Sequence, residues 1–156
     1  MIQVDIPGQR IYQFENLVLD LNGTLTVDGA LIEGVLERIT LLRSMLNILI
    51  VTADTRGKAR EIAEILQLPI HKVNKGNEQN QKLKLVRHLG IKGTACIGNG
   101  SIDTSMLKEA ILGICVIGPE GTSVEAIVNS NLVVPSINAA LDLFIKPERL
   151  IATLRK

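Results

Sequence analysis

Asp20 ends an aliphatic run, Leu17-Val18-Leu19-Asp20-Leu21, and is followed at once by Asn22-Gly23-Thr24. A carboxylate at the tip of a buried strand, beside a tight glycine-bearing loop, can attack phosphorus in line while loop N–H groups cradle the phosphoryl oxygens. Other polar residues close similar runs: Thr52 ends NILIVT (47–52), and Asn99 follows TACIG (94–98). Ligands of parallel sheets bind beyond the carboxyl ends of the strands. Asp20, Thr52, Gly98 and Asn99 are therefore expected to meet on one rim.

The elements that must hold these residues follow from patterning. Six short aliphatic runs (17–21, 47–52, 69–73, 94–98, 113–118 and 131–135) alternate with segments of helical spacing. Leu36, Ile39, Leu42 and Leu46 mark a first helix; Ala59, Ile62, Ala63 and Leu66 a second; Leu83, Val86 and Leu89 a third. Ala126 and Ile127 mark a short later helix, and 138–145 and 147–154 read as closing helices, with Pro147 suited to the first turn of the last. Asp54-Thr55 precedes RGKAREIAEIL and suits a helix cap. Strands that are apolar throughout, alternating with helices, predict an α/β fold: a doubly wound, three-layer Rossmann-like parallel sheet covered on both faces. Before it, IQVDI and RIYQFE flank Pro7-Gly8-Gln9 and predict an N-terminal β-hairpin. No linker or repeat divides the 156 residues, so one domain over 1–156 is expected.

Composition narrows the partners. Apolar residues make up 46% and aromatic residues 2%, so the core must be aliphatic and no aromatic platform exists for stacking bases. A net charge of +1, from 17 basic and 16 acidic residues, gives no electrostatic reason to expect nucleic acid or an anionic membrane. The start lacks the pattern of a signal peptide, and no apolar run approaches the ~20 residues of a bilayer-spanning helix. A cytoplasmic protein is expected. Cys96 and Cys115 sit in strand-like runs and read as reduced core thiols.

The segment LVLDLNGTLTVDG resembles the first motif, DxDGT, of the haloacid-dehalogenase (HAD) superfamily. Gly23-Thr24-Leu25-Thr26 is especially similar to the tail of DKTGTLT in P-type ATPases. ILIVTAD resembles the second motif, with TAD like the TGD of those pumps, although Asp54 fits a helix cap equally well. Lys82 stands where the family places a helical lysine, with Lys84 close by. ACIGNGSIDTSML resembles the GDGxND motif, Asp103 matching its last position and Ser101 its variable one. The resemblance covers almost the whole chain, in the family's order. It implies a hydrolase, a phosphatase or phosphotransferase, acting through an aspartyl phosphate on Asp20. By that resemblance Thr52 and Lys82 would bind the phosphoryl group with Gly23, Thr24 and Ala53, and Asp20, Asn22 (through its carbonyl), Asn99 and Asp103 would position Mg²⁺.

Two departures bear on turnover. Asn22 occupies the position of the second Asp of DxDGT, the general acid of the phosphatases, and an amide has no proton to transfer near neutral pH. General acid–base help worth roughly 10²–10⁴ in rate is expected to be missing. P-type ATPases also lack that Asp, carrying Thr instead. Asn99 replaces the first Asp of the fourth motif and removes one negative charge from the metal site. The spacings between motifs leave no room for a cap domain. An open site serves large, macromolecular phosphorylated substrates or takes cover from a neighbouring subunit, and capless relatives suggest a homo-oligomer, dimer or tetramer. The alternative is a non-catalytic member that binds a phosphate ligand or serves in an assembly. A pump fragment is disfavoured, since neither a nucleotide-binding insertion nor a membrane helix is expected.

Overall fold

The computed structural model describes residues 1–54 and 57–156. The six aliphatic runs all form strands of one parallel sheet. In chain order these are β3 (Asn16–Asp20), β6 (Asn47–Thr52), β7 (Ile70–Lys72), β8 (Thr94–Gly98), β9 (Leu112–Val116) and β10 (Leu132–Val134). Their spatial order is β10-β9-β8-β3-β6-β7. The predicted hairpin is present as β1 (Ile2–Asp5) and β2 (Ile11–Phe14), paired antiparallel. Among the described residues no helix is long and apolar enough to cross a membrane.

Strand β3 lies centrally, so its residues are buried on both faces. Leu17 and Leu19 face one apolar cluster with α1 (Val35–Leu42), α2 (Gly57–Leu66), α6 (Ile137–Ile145) and α7 (Pro147–Leu154). Val18 faces a second cluster with α3 (Glu78–Leu89), α4 (Thr104–Glu109) and α5 (Val124–Val128). This is the expected three-layer arrangement. The hairpin extends the first cluster, where Phe14 packs edge-on against Phe144 at 5.2 Å. Cys96 and Cys115 are free and buried in the second cluster, and burial pushes both thiols up.

The helical spacing needs two corrections. In α1 the buried face is Val35, Ile39 and Leu42, while Leu36 is exposed. Leu46 is buried beyond the end of that helix. In α3 the buried seam is Lys82, Leu85 and Val86 rather than Leu83, Val86 and Leu89. The helix is turned so that a lysine takes a core position, because carboxylates wait beneath it. The cap expected at Asp54-Thr55 falls partly outside the described residues.

Register sets the rim. Asp20 is level with Val51, one step before Thr52, and Leu19 is level with Ile97, one step before Gly98. A further element closes one side: a hairpin of β4 (Thr26–Val27) and β5 (Ala30–Leu31). Its two-residue loop, Asp28-Gly29, has φ of 51° and 78°. Asp-Gly is the pair that such a turn favours, and the aspartate tolerates the left-handed region.

Gly113 shows how tightly the second layer packs. A Cβ there would run into the backbone of Leu107 in α4. Gly113→Ala is expected to destabilise the protein by about 3 kcal/mol or more, read as a lower urea midpoint with an unchanged slope.

Candidate active site

The residues singled out from the sequence meet at the carboxyl ends of β3, β6 and β8. At the centre, Lys82 Nζ donates to Asp20 Oδ1 and to Asp103 Oδ1, both at 2.7 Å. Lys82 and Asp103 are wholly inaccessible, and Asp20 is 6% exposed. The other oxygen of Asp103 accepts the N–H groups of Asn99 (3.1 Å) and Gly100 (3.0 Å). Asp103 packs directly over Gly98, where a Cβ would lie 2.6 Å from its Oδ2. Only glycine at the end of β8 admits the carboxylate.

Two carboxylates face one ammonium in a place from which water is largely excluded. Burial, reinforced by the facing Asp103, pushes the Asp20 carboxyl up to about 7 despite the pull of Lys82. Burial alone would lower Lys82, but Asp20 and Asp103 outweigh it and hold the ammonium up to about 12. The lysine is therefore charged throughout the physiological range.

The turn after β3 differs from the expected phosphoryl cradle. Gly23 N–H donates to Thr26 O (3.1 Å) and Thr24 N–H to Leu21 O (3.2 Å), so both are spent on closing the turn. Thr24 is fully buried, and its hydroxyl lies 3.2 Å from Asp20 Oδ2 and 3.1 Å from Asn99 Oδ1. By contrast Asn22 and Ala53 both line the cleft, and among the described residues neither N–H has a partner. Thr52 Oγ1 accepts the Asp54 N–H at 3.0 Å, which leaves its own proton free to point elsewhere.

A hydroxyl has one proton, so Thr24 can satisfy Asp20 Oδ2 or Asn99 Oδ1 but not both at once. While Asp20 is ionised, a cation between them would meet the shortfall. Among the described residues no three His, Cys, Asp or Glu side chains form a metal cluster. A metal here must draw on single carboxylate, amide and backbone oxygens, the set that suits a hard ion such as Mg²⁺. Asp20 Oδ2, Asn99 Oδ1 and the Asn22 carbonyl fit that requirement. Both oxygens of Asp103, by comparison, are already engaged.

Above these groups opens a cleft of about 700 Å³. Its walls include residues that sequence reasoning missed: Asp28 and Gly29 from the β4–β5 loop, Lys58 and Ile62 from α2, Lys75, Glu78 and Ile102. The Asp28-Gly29 dipeptide was the readable signal, as a hairpin turn between short runs. The others depend on tertiary placement.

No family model matches the chain. It is 46% identical over 84 residues to the uncharacterized protein MJ0073 of Methanocaldococcus jannaschii, spanning 51% of this chain and 90% of that protein. It is also 51% identical over 39 residues to MJ0072 of the same organism, 25% of this chain and 89% of that one. Among solved structures, a Streptomyces avermitilis protein assigned to the HAD family hydrolases superposes with a TM-score of 0.67 at 16% identity, over 90% of this chain and 93% of its own. The chain belongs to the MJ0073 family and has the HAD fold.

Phosphatases share that fold. The cobalt-bound deoxy-D-mannose-octulosonate 8-phosphate phosphatase of Haemophilus influenzae gives a TM-score of 0.73 at 13% identity, covering 92% of this chain and 94% of that one. The Moraxella catarrhalis 3-deoxy-D-manno-octulosonate 8-phosphate phosphatase, solved in complex with magnesium, phosphate and a KDO molecule, gives 0.68 at 20%, covering 91% and 94%.

The buried charges set the response of this HAD-fold chain to pH. The Asp20 carboxyl rises from an ordinary 3.8 to about 7, so the folded, metal-free protein favours its protonated form. That contribution is fully present below the unfolded value and is lost as pH rises through about 7. Urea titrations without metal are expected to show stability falling across this window, and Asp20→Asn is expected to remove that fall. Lys82→Met leaves two buried carboxylates facing each other and is expected to cost about 3–5 kcal/mol. A wild-type-like urea midpoint for Lys82→Met would show that the triad is not coupled.

Proposed function

We propose that the chain is a Mg²⁺-dependent phosphohydrolase or phosphotransferase of low turnover, carrying the phosphoryl group on Asp20. The observation that carries this reading is the buried Lys82 between Asp20 and Asp103 at the floor of an open cleft, with unpartnered N–H groups at Asn22 and Ala53 beside it.

The substrate is a phosphomonoester or acyl phosphate. An Asp20 carboxylate oxygen attacks phosphorus, the bond to the leaving oxygen breaks, and the electron pair departs with that oxygen. Lys82, the Thr52 hydroxyl and the Asn22 and Ala53 N–H groups hold the equatorial oxygens as charge spreads over them. Gly23 and Thr24 act one step back, shaping the turn and fixing Asp20. Asp20, Asn99 and the Asn22 carbonyl would hold Mg²⁺, which when bound supplies a positive charge against the phosphoryl oxygens. Asp103 orients Lys82 and the Asn99-Gly100 turn. In the second step water attacks phosphorus and gives up its proton to a phosphoryl oxygen, the aspartyl bond breaks, and the carboxylate is regenerated.

Asn22 cannot donate a proton to the leaving group or take one from water. Donors whose leaving group needs no protonation are therefore favoured, and the aspartyl phosphate outlives that of an ordinary phosphatase. The open cleft suits a large phosphorylated partner or cover from a second subunit. The two amides, Asn22 and Asn99, equally motivate a second reading, a phosphate-binding protein without turnover.

With Mg²⁺ and acetyl phosphate, Asp20 is expected to be trapped as a labelled residue, absent in Asp20→Asn. Asn22→Asp is expected to raise p-nitrophenyl phosphate turnover by roughly 10²–10⁴. Failure to label Asp20, together with failure to bind beryllium fluoride and Mg²⁺, sinks the enzymatic reading. Beryllium fluoride capture requires a competent aspartate.

A further inference from the structure

Asn99 stands where an acid would bind a divalent ion more strongly, yet its amide has work that a carboxylate could not do. Its Nδ2 donates to Gly121 O at 3.2 Å, and its Oδ1 accepts from Thr24. Its backbone oxygen accepts the Ser123 N–H at 2.9 Å. The Ser101 and Ser123 hydroxyls meet at 2.7 Å alongside. The amide rests on Gly23, where a Cβ would lie 2.5 Å from Nδ2. Three contacts thus join the β9–α5 loop to residues 99–101, and the Thr24–Asn99 bond joins those residues to the turn that follows Asp20.

That loop reaches further. Glu120 Oε2 accepts the backbone N–H of Asp28 at 3.2 Å, holding the tip of the β4–β5 hairpin. Asp28 and Gly29 in turn form part of the cleft wall. Gly118 approaches closely from the same loop, a Cβ there lying 3.2 Å from Gly23 O. A chain of bonds therefore runs from Asn99 to Gly121, through Glu120 to Asp28, and so to the mouth of the cleft.

We propose that Asn99 is a positioning residue whose carboxamide fastens the Gly118–Ser123 loop, and through Glu120 the Asp28-Gly29 wall, giving up metal affinity to do so. An aspartate at this position lacks the N–H and sets a carboxylate oxygen against the Gly121 carbonyl. This deepens the reading of Asn99 as a ligand, but its test does not depend on turnover.

The test is amide hydrogen exchange on the full chain together with Mn²⁺ binding followed by electron paramagnetic resonance. Asn99→Asp is expected to bind Mn²⁺ more tightly while the Gly121 and Ser123 amides exchange at least tenfold faster. Glu120→Ala is expected to speed exchange at Asp28 by a similar factor, and Glu120→Gln, which keeps an acceptor oxygen, to restore it. Should Asn99→Asp fail to fold, the Glu120 pair alone decides the hairpin link. Unchanged exchange at Gly121 and Ser123 in a folded Asn99→Asp, or Glu120→Ala indistinguishable from wild type at Asp28, overturns the proposal. Loss of Asp20 labelling with these exchange changes intact would refute the catalytic reading alone.

Discussion

An ammonium buried between two carboxylates organises this molecule. Bringing Lys82, Asp20 and Asp103 out of water is expensive, and the arrangement persists only because each charge has partners at hydrogen-bond distance. The fold supplies those partners from different elements: β3 delivers Asp20, α3 delivers Lys82, and the turn after β8 delivers Asp103 with two backbone N–H groups to hold it. Gly98 is needed because Asp103 lies over it. The rotation of α3 that places a lysine in the helix's buried seam has the same cause.

One cation against two carboxylates leaves an unbalanced negative charge, and this imbalance gives the site its chemistry. Without a metal, the protein relieves it by favouring a proton on Asp20. With a divalent ion the carboxylate is free to ionise. The single Thr24 hydroxyl, placed between Asp20 Oδ2 and Asn99 Oδ1, marks the side on which positive charge is missing. Asn22 and Asn99 keep oxygen donors at their positions but contribute no charge, so under the proposed function an incoming phosphoryl group would add the remaining oxygens a metal requires.

The site is roofed by very little. The β4–β5 hairpin has two-residue strands, and its tip is held by one carboxylate from the β9–α5 loop. Such a wall leaves a broad mouth, and large phosphatase caps have no counterpart among the described residues.

Much of the fold was legible in the chain. Six aliphatic runs and the spacing of Ala59, Ile62, Ala63 and Leu66 are local signals, and local hydrophobic periodicity needs no partner to be read. Asp20 and Thr52 could be placed on a rim because strand ends are recognisable. The turn chemistry of Gly23 and Thr24 was not readable, since whether an N–H is free depends on which carbonyl the chain brings to it. Nor could the periodicity of α3 show that Lys82, and not Leu83, faces inward. Sequence by itself determined the layered α/β architecture, the order of the motifs and the two amide substitutions, because these are properties of neighbouring residues. Tertiary structure decided the pairing of Lys82 with both carboxylates, the three hydrogen bonds that Asp103 accepts, and the span from Asn99 through Gly121 and Glu120 to Asp28. Those contacts join residues far apart in the chain, and only the packed sheet brings them within reach of one another.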